Sequence, residues 1–210
     1  SPRNLLGGIE QKKAFTGADI DGWFALNLTG NLKIGLGSWS VDDIATYLKT
    51  GADKSKSTSL GPMSEVVHNS LSFMTDDDLQ AMAEYLKALP ASSAMSPDHQ
   101  PDKTLAAGAT TYVDNCSACH QAQGSGIPGV FPALAGNGVV LAADANDILK
   151  VVLFGIPVQD GYIAMPGFGD KLSDQQIADL ANYLRSSWGN GAAVNATAAQ
   201  VAALRKLPVE

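Results

Sequence analysis

The feature that most limits what this chain can become is Cys116-Ser117-Ala118-Cys119-His120, in the stretch DNCSACHQAQGSG, because it holds both cysteines of the 210-residue sequence. Two thiols three residues apart, with an imidazole directly after the second, suit four chemistries. A structural zinc site needs four ligands, and beyond these three residues only His68 and His99 remain, at neither finger nor ribbon spacing. A redox pair of thioredoxin type follows a strand in an α/β pattern, and no such pattern is visible. A plain disulfide leaves the histidine without a role. Covalent attachment of haem c uses all three residues: the thiols of Cys116 and Cys119 add to the vinyl groups along one porphyrin edge, and His120 coordinates the iron.

The rest of the chain is compatible with that reading. Hydrophobic residues make up 45%, enough for a real core, and the formal net charge is -7 with only 17% charged residues. An acidic surface argues against nucleic acid and anionic membrane as partners and suits docking to a basic protein patch. No apolar run approaches the ~18 residues of a membrane-spanning helix. The opening Ser1, without Met or an apolar leader, suggests a mature product or an excised fragment. Few lysines and many small residues fit an exported bacterial protein, and covalent haem attachment implies the periplasm.

Between Leu89 and Lys103, Pro90, Pro97 and Pro101 stand among small polar residues, which breaks helix and strand alike. Residues 90–102 are therefore expected to be a linker between domains 1–89 and 103–190, with 191–210 as a C-terminal tail. The two halves share one plan. SVDDIATYLKTG, from Ser40, aligns with DANDILKVVLFG, from Asp144, and TDDDLQAMAEYL, from Thr75, aligns with SDQQIADLANYL, from Ser173. Leu79, Met82, Ala83 and Leu86 recur at helical spacing, as do Ile177, Leu180, Ala181 and Leu184. Thr75 and Ser173 are placed as N-caps, and Ser173 with Gln176 forms a capping box. A further helix leads into Cys116, and the tail is expected to form a short amphipathic helix from Thr197. No alternating strand pattern is visible, so the class expected is all-α with long Gly- and Pro-rich loops. Such loops suit a fold whose centre is filled by something other than protein.

A haem iron held by His120 takes a sixth ligand or stays open. Met165 in YIAMPGFGD is the candidate, because Pro166 and Gly167 deny it regular helix and hold its thioether on a loop; the alternative is a methionine filling a core gap. Met74 and Met82 fit a helical core, and Met95 falls in the linker. The acidic pairs and runs at Asp42 to Asp43 and Asp76 to Asp78 open helices, where carboxylates serve the helix dipole.

At this point the sequence resembles the class I c-type cytochromes. The resemblance rests on Gly108 and Tyr112 in the helix before CSACH, on FPALAG from Phe131, on MPGF from Met165, and on Leu180 with Tyr183 in the last long helix. It implies that Pro132 offers its carbonyl to the free N–H of His120 and that Gly108 and Tyr112 pack against Leu180 and Tyr183. It also implies a dry haem pocket lined by Phe131, Leu134, Ile148, Val152 and Phe168. The first half, with PRN near its start and GPMSEVVHNS further on, is similar to the multihaem cytochrome c subunits of bacterial membrane-bound dehydrogenases for alcohol, gluconate, sorbitol or aldehyde. In that family PRN comes directly after a C-x-x-C-H. The fold implied is two tandem cytochrome c-like domains, the first truncated at its N-terminus and lacking its attachment motif. Met63, in GPMSEVV, occupies the loop expected for a sixth ligand and would serve a haem carried by an absent upstream motif. Without cysteines, the first half holds no haem covalently.

The function implied is electron transfer by one covalent haem c, not catalysis. Electrons would come from a dehydrogenase subunit carrying pyrroloquinoline quinone or flavin and pass through other cytochrome domains towards quinone or a terminal oxidase. The location implied is the outer face of the inner membrane, reached peripherally through the complex. The rival is a haem enzyme or small-ligand sensor, which requires that Met165 leave the iron open.

Overall fold

A Ser or Thr N-cap ahead of apolar residues at helical spacing starts four helices in the computed structural model, which describes residues 7–8, 10–53, 56–93, 105–158 and 162–207. Arg3, Met95, His99 and most of the expected linker lie outside the described residues. The chain divides into two compact units, Ser1–Met95 and Ser96–Glu210.

In the first unit a 3-10 turn (Gln11–Lys13) precedes a hairpin of β1 (Ala18–Ile20) and β2 (Trp23–Ala25), in which Ile20 pairs with Trp23. Its two-residue connection, Asp21 and Gly22, has φ of 52° and 75°, the left-handed pair that lets a tight turn match strand twist. Helix α1 (Val41–Thr50) starts on a reciprocal capping box between Ser40 and Asp43 and stops at Gly51, whose φ is 81°. Helix α2 (Pro62–Asn69) has Pro62 in its first turn, and α3 (Asp76–Lys87) is capped by Thr75. Ile44 and Leu48 from α1, Val67 from α2, Leu79 and Ala83 from α3 and the intervening Leu71 form the core. Met63, Met74 and Met82 pack on its margin. The Lys87 ammonium donates to the carbonyls of Gly37 and Trp39, tying the end of α3 to the loop before α1.

The second unit contains α4 (Ala106–Asn115), α5 (Ser117–His120), α6 (Gly138–Leu141) and α7 (Asn146–Phe154). It continues with β3 (Gly155–Ile156) paired antiparallel to β4 (Met165–Pro166), then α8 (Asp174–Ser186) and α9 (Ala198–Leu204). Gly108 lets α4 cross α8 closely: a Cβ there would overlap the Asp179 carbonyl and the Tyr183 side chain. Tyr112, Leu149, Ile177, Leu180, Ala181 and Val201 are buried in this core. Tyr112, Tyr183 and Trp188 form a triangle of rings, with centroids 5.0 to 5.7 Å apart. Helix α9 is the helix expected from Thr197, with Thr197 and Gln200 making its capping box.

Three features depart from the sequence reading. The two ladders were not expected; strands of three and two residues are too short to show a period of two, although Asp21-Gly22 is a hairpin signal. Met63 stands in the first turn of α2 and not on a loop, because Pro62 pre-sets a helical φ at the start of that helix. The chain from Pro90 to Ser92 is bonded into the first unit: Asn27 Nδ2 donates to Ser92 Oγ at 3.0 Å, and Asn31 Nδ2 to the Ser92 carbonyl at 3.2 Å.

Candidate functional site

Helix α4 delivers the motif. It ends at Cys116, whose N–H donates to the Tyr112 carbonyl, and a second short turn starts there, with the N–H groups of Cys119 and His120 both donating to the Cys116 carbonyl. The two cysteines thus sit one turn apart, and both are free thiols. Burial, with the neighbouring Cys119 adding to it and Lys171 opposing it, pushes the Cys116 thiol up to about 11, so it is protonated at neutral pH.

Gln121 then reverses the chain with φ 64°, a left-handed conformation secured by the Tyr112 hydroxyl, which donates to the Gln121 carbonyl. His120 is left buried, 7% exposed, with its Nδ1 3.0 Å from the Pro132 carbonyl and its ring centroid 6.4 Å from that of Phe131. A carbonyl only accepts, so Nδ1 carries the proton and donates, which assigns the tautomer and leaves the Nε2 lone pair for a metal. Burial holds the His120 pKa below its usual range, with the bond to Pro132 pulling the other way, so the ring is neutral and able to ligate.

The loop after His120 is tightly bonded. Gly126 N–H donates to the His120 carbonyl, the N–H groups of Leu134 and Ala135 to the Gly124 carbonyl, and Ile127 and Phe131 form an antiparallel bridge. Gly124 and Gly126 are both left-handed, and a Cβ at Gly124 would overlap the Trp188 indole. Asn190, buried at the end of this core, donates to the carbonyls of Leu134 and Leu184 and accepts from the Gly136 N–H.

Met165 belongs to a second cluster built on α7. It pairs with Ile156 across the β3–β4 ladder and is half-buried, and a Cβ at Gly155 would overlap its carbonyl. Phe168 N–H donates to the Val152 carbonyl at 2.8 Å, and Gly169 N–H to that of Leu153 at 3.1 Å, so the segment after Met165 fills acceptors freed at the end of the helix. Ile148 and Val152 are buried on α7, and Phe168 is half-buried. The clusters are joined where Ile163 N–H donates to the Val130 carbonyl, next to Phe131. The structure therefore assembles Cys116, Cys119, His120, Phe131, Pro132 and Leu134 around one loop, and Met165, Phe168, Ile148 and Val152 around α7. Met63 lies in the other unit, against that unit's core.

Sequence reasoning did not find Trp188, Asn190 or Arg185. Arg185 is completely buried, and its guanidinium donates to the carbonyls of Val140, Ala142, Asp144 and Ala193. Burial lowers its pKa to about 10, with Asp144 opposing, so it is still charged at neutral pH. The signal available for Trp188 and Asn190 was WGN, one residue beyond the last long helix, an aromatic and an amide where solvated residues are usual.

The competing uses of the motif fit these surroundings poorly. It follows a helix and not a strand, both thiols are free, and among the described residues no group of three His, Cys, Asp or Glu side chains could hold a metal ion. Two thiols one turn apart and a neutral imidazole with one nitrogen engaged and the other available are the donor set that haem c takes up.

Comparison with known proteins agrees. The cytochrome c family profile matches residues 105–188. The chain is 42% identical over 205 residues to the gluconate 2-dehydrogenase cytochrome c subunit of Pantoea cypripedii, an alignment covering 90% of this chain and 46% of that protein. It is 42% identical over 204 residues to the cytochrome c subunit of the quinone alcohol dehydrogenase of Gluconobacter oxydans, covering 90% and 42%. It is 35% identical over 110 residues to cytochrome c-552 of Thermus thermophilus, covering 47% of this chain and 83% of that protein. The chain spans somewhat less than half the length of the dehydrogenase subunits it matches. From the thiol pair, the oriented His120 and these likenesses together, the chain belongs to the cytochrome c family, whose members bind haem c covalently.

Proposed function

We propose that this chain is the electron-transferring part of a dehydrogenase cytochrome subunit, in which Cys116 and Cys119 would hold one haem c covalently and His120 and Met165 would ligate its iron. The observation that carries the reading is the bond from His120 Nδ1 to the Pro132 carbonyl, which fixes Nε2 as the free donor and raises its basicity. The haem supplies reversible one-electron exchange between ferric and ferrous iron. The protein's residues supply the rest. His120 stays neutral and oriented, Met165 offers a soft thioether, and Phe131, Leu134, Ile148, Val152 and Phe168 exclude water, a combination that favours the ferrous state. With His120 and Met165 both holding the iron, the chain would offer it no place for a substrate, and the haem would supply electron exchange only.

The dehydrogenase subunits among its relatives suggest the source and direction of the electrons. They enter from a catalytic subunit carrying pyrroloquinoline quinone or flavin and pass through other cytochrome domains to quinone or a terminal oxidase, in the periplasm at the outer face of the inner membrane. Among the described residues no helix is long and apolar enough to cross a membrane, which suits peripheral attachment through the complex. The first unit is the C-terminal part of a further cytochrome c-like domain, and Met63 is the candidate ligand for a haem attached upstream.

The test is a potentiometric titration of the haem-loaded chain, followed by exposure of the ferrous form to carbon monoxide. A single reversible one-electron transition without carbon monoxide uptake is the expected result. Prompt binding of carbon monoxide would transfer the chain to the open-iron, enzyme or sensor class.

A further inference from the structure

The Met165 segment is held from three sides, and the third comes from outside the residues that match the family profile. The ladder with Ile156 is the first hold and the α7 carbonyls of Val152 and Leu153 are the second. The third is Arg205, at the C-terminal end of α9. Its Nη1 donates to the Gly169 carbonyl, its Nη2 to the Leu172 carbonyl at 2.7 Å, and its Nε to Asp174 Oδ1 at 2.5 Å. One planar guanidinium therefore grips both ends of the turn that follows Met165 and the first residue of α8. Arg205 is itself well placed, because α9 is capped by Thr197 with Gln200 and pinned by Val201 and Leu204, both buried.

We infer that Arg205 is a positioning residue for the sixth ligand: α9 is a strap whose guanidinium holds the turn 169–172 against α7 and so keeps the Met165 thioether in place. This rests on Met165 being an axial ligand. The site it serves is the loop, since all three bonds end on residues 169 to 174 and none on the residues around His120. Bonds from a charged donor are among the stronger ones, but the ion pair is about one-third exposed on both sides, which weakens its electrostatic part. The expected consequence of losing the fork is about a tenfold rise in the fraction of molecules with Met165 off the iron.

The experiment compares the haem-loaded wild type with Arg205→Ala and Arg205→Lys. The readouts are the weak far-red band of thioether-ligated ferric haem, the pH at which that band is lost to base, and deuterium uptake by residues 165–172. Arg205→Ala is expected to lower the midpoint of base-driven ligand loss by about one pH unit, the equivalent of tenfold, and to speed exchange in 165–172 while leaving the peptide around Cys116 to Gln121 unchanged. Arg205→Lys keeps the charge beside Asp174 without the fork and should restore less than half of the shift. If Arg205→Ala folds and keeps the wild-type midpoint, the strap is refuted. Full restoration by Lys would refute the fork and leave only a charge effect. A wild type without the far-red band would sink Met165 ligation, and unchanged deuterium uptake in Arg205→Ala would then sink the strap as a loop anchor as well.

Discussion

Met63 and Met165 sit at corresponding places in the two halves of this chain, each beside a proline, and the order of the two residues decides what becomes of them. In GPMS the proline comes first, takes an N-terminal position of α2 and leaves Met63 in the first helical turn, where its side chain joins the hydrophobic margin. In AMPG the proline comes second, and its ring drives the preceding residue out of helical geometry, so Met165 is extended and paired with Ile156. One methionine is packed as a side chain; the other is presented by its backbone. The same contrast extends outward: the second unit brings a helix, two thiols and an oriented imidazole to its loop, whereas the described first unit closes a core of Ile44, Leu48, Val67, Leu71, Leu79 and Ala83 without cysteine.

The largest break in this contrast comes from the thiols. Replacing Cys116 and Cys119 with Ala should abolish covalent haem, read as complete loss of haem staining on a denaturing gel; residual staining would place a haem elsewhere. Next, Met165→Ala should remove the far-red band and open ferrous iron to carbon monoxide. Met63→Leu should leave both unchanged and cost less than about 1.5 kcal/mol in denaturant unfolding, because it conserves volume. An effect on stability alone, larger than that of Met63→Leu, is expected at the crossing of α4 and α8. Gly108→Ala drives a methyl into the Asp179 carbonyl and should cost about 3 kcal/mol in denaturant unfolding, the upper end for overpacking. Smallest of all, Pro166→Ala frees Met165 to sample helical backbone in the unfolded chain and should lower stability by about 0.5–1 kcal/mol with the far-red band retained.

What the sequence makes legible here is chemistry with fixed local spacing. CSACH and the caps Thr75, Ser173 and Thr197 each depend on neighbours within a few residues, whereas the close approach at Gly108 was legible only through the family resemblance. Arg185 and Arg205 stayed hidden because all of Arg185's partners and two of Arg205's three are backbone carbonyls, which every residue carries and which no motif marks. Trp188 and Asn190 stayed hidden for a related reason. Their roles depend on where the chain turns after α8, with Trp188 at φ 52°, and that turn brings them under a loop more than fifty residues earlier. The positional likeness of Met63 to Met165 points to a loop, and the local signal that outweighs it is Pro62, which starts a helix there.

The most direct test of the central claim is a methyl spectrum of the ferrous, haem-loaded chain with its five methionines carbon-13 labelled at the methyl. A methyl held against the iron lies in the ring current of the porphyrin and moves far upfield. The account predicts one such methyl, lost in Met165→Leu and retained in Met63→Leu. No shifted methyl, or one that disappears with Met63, would contradict it.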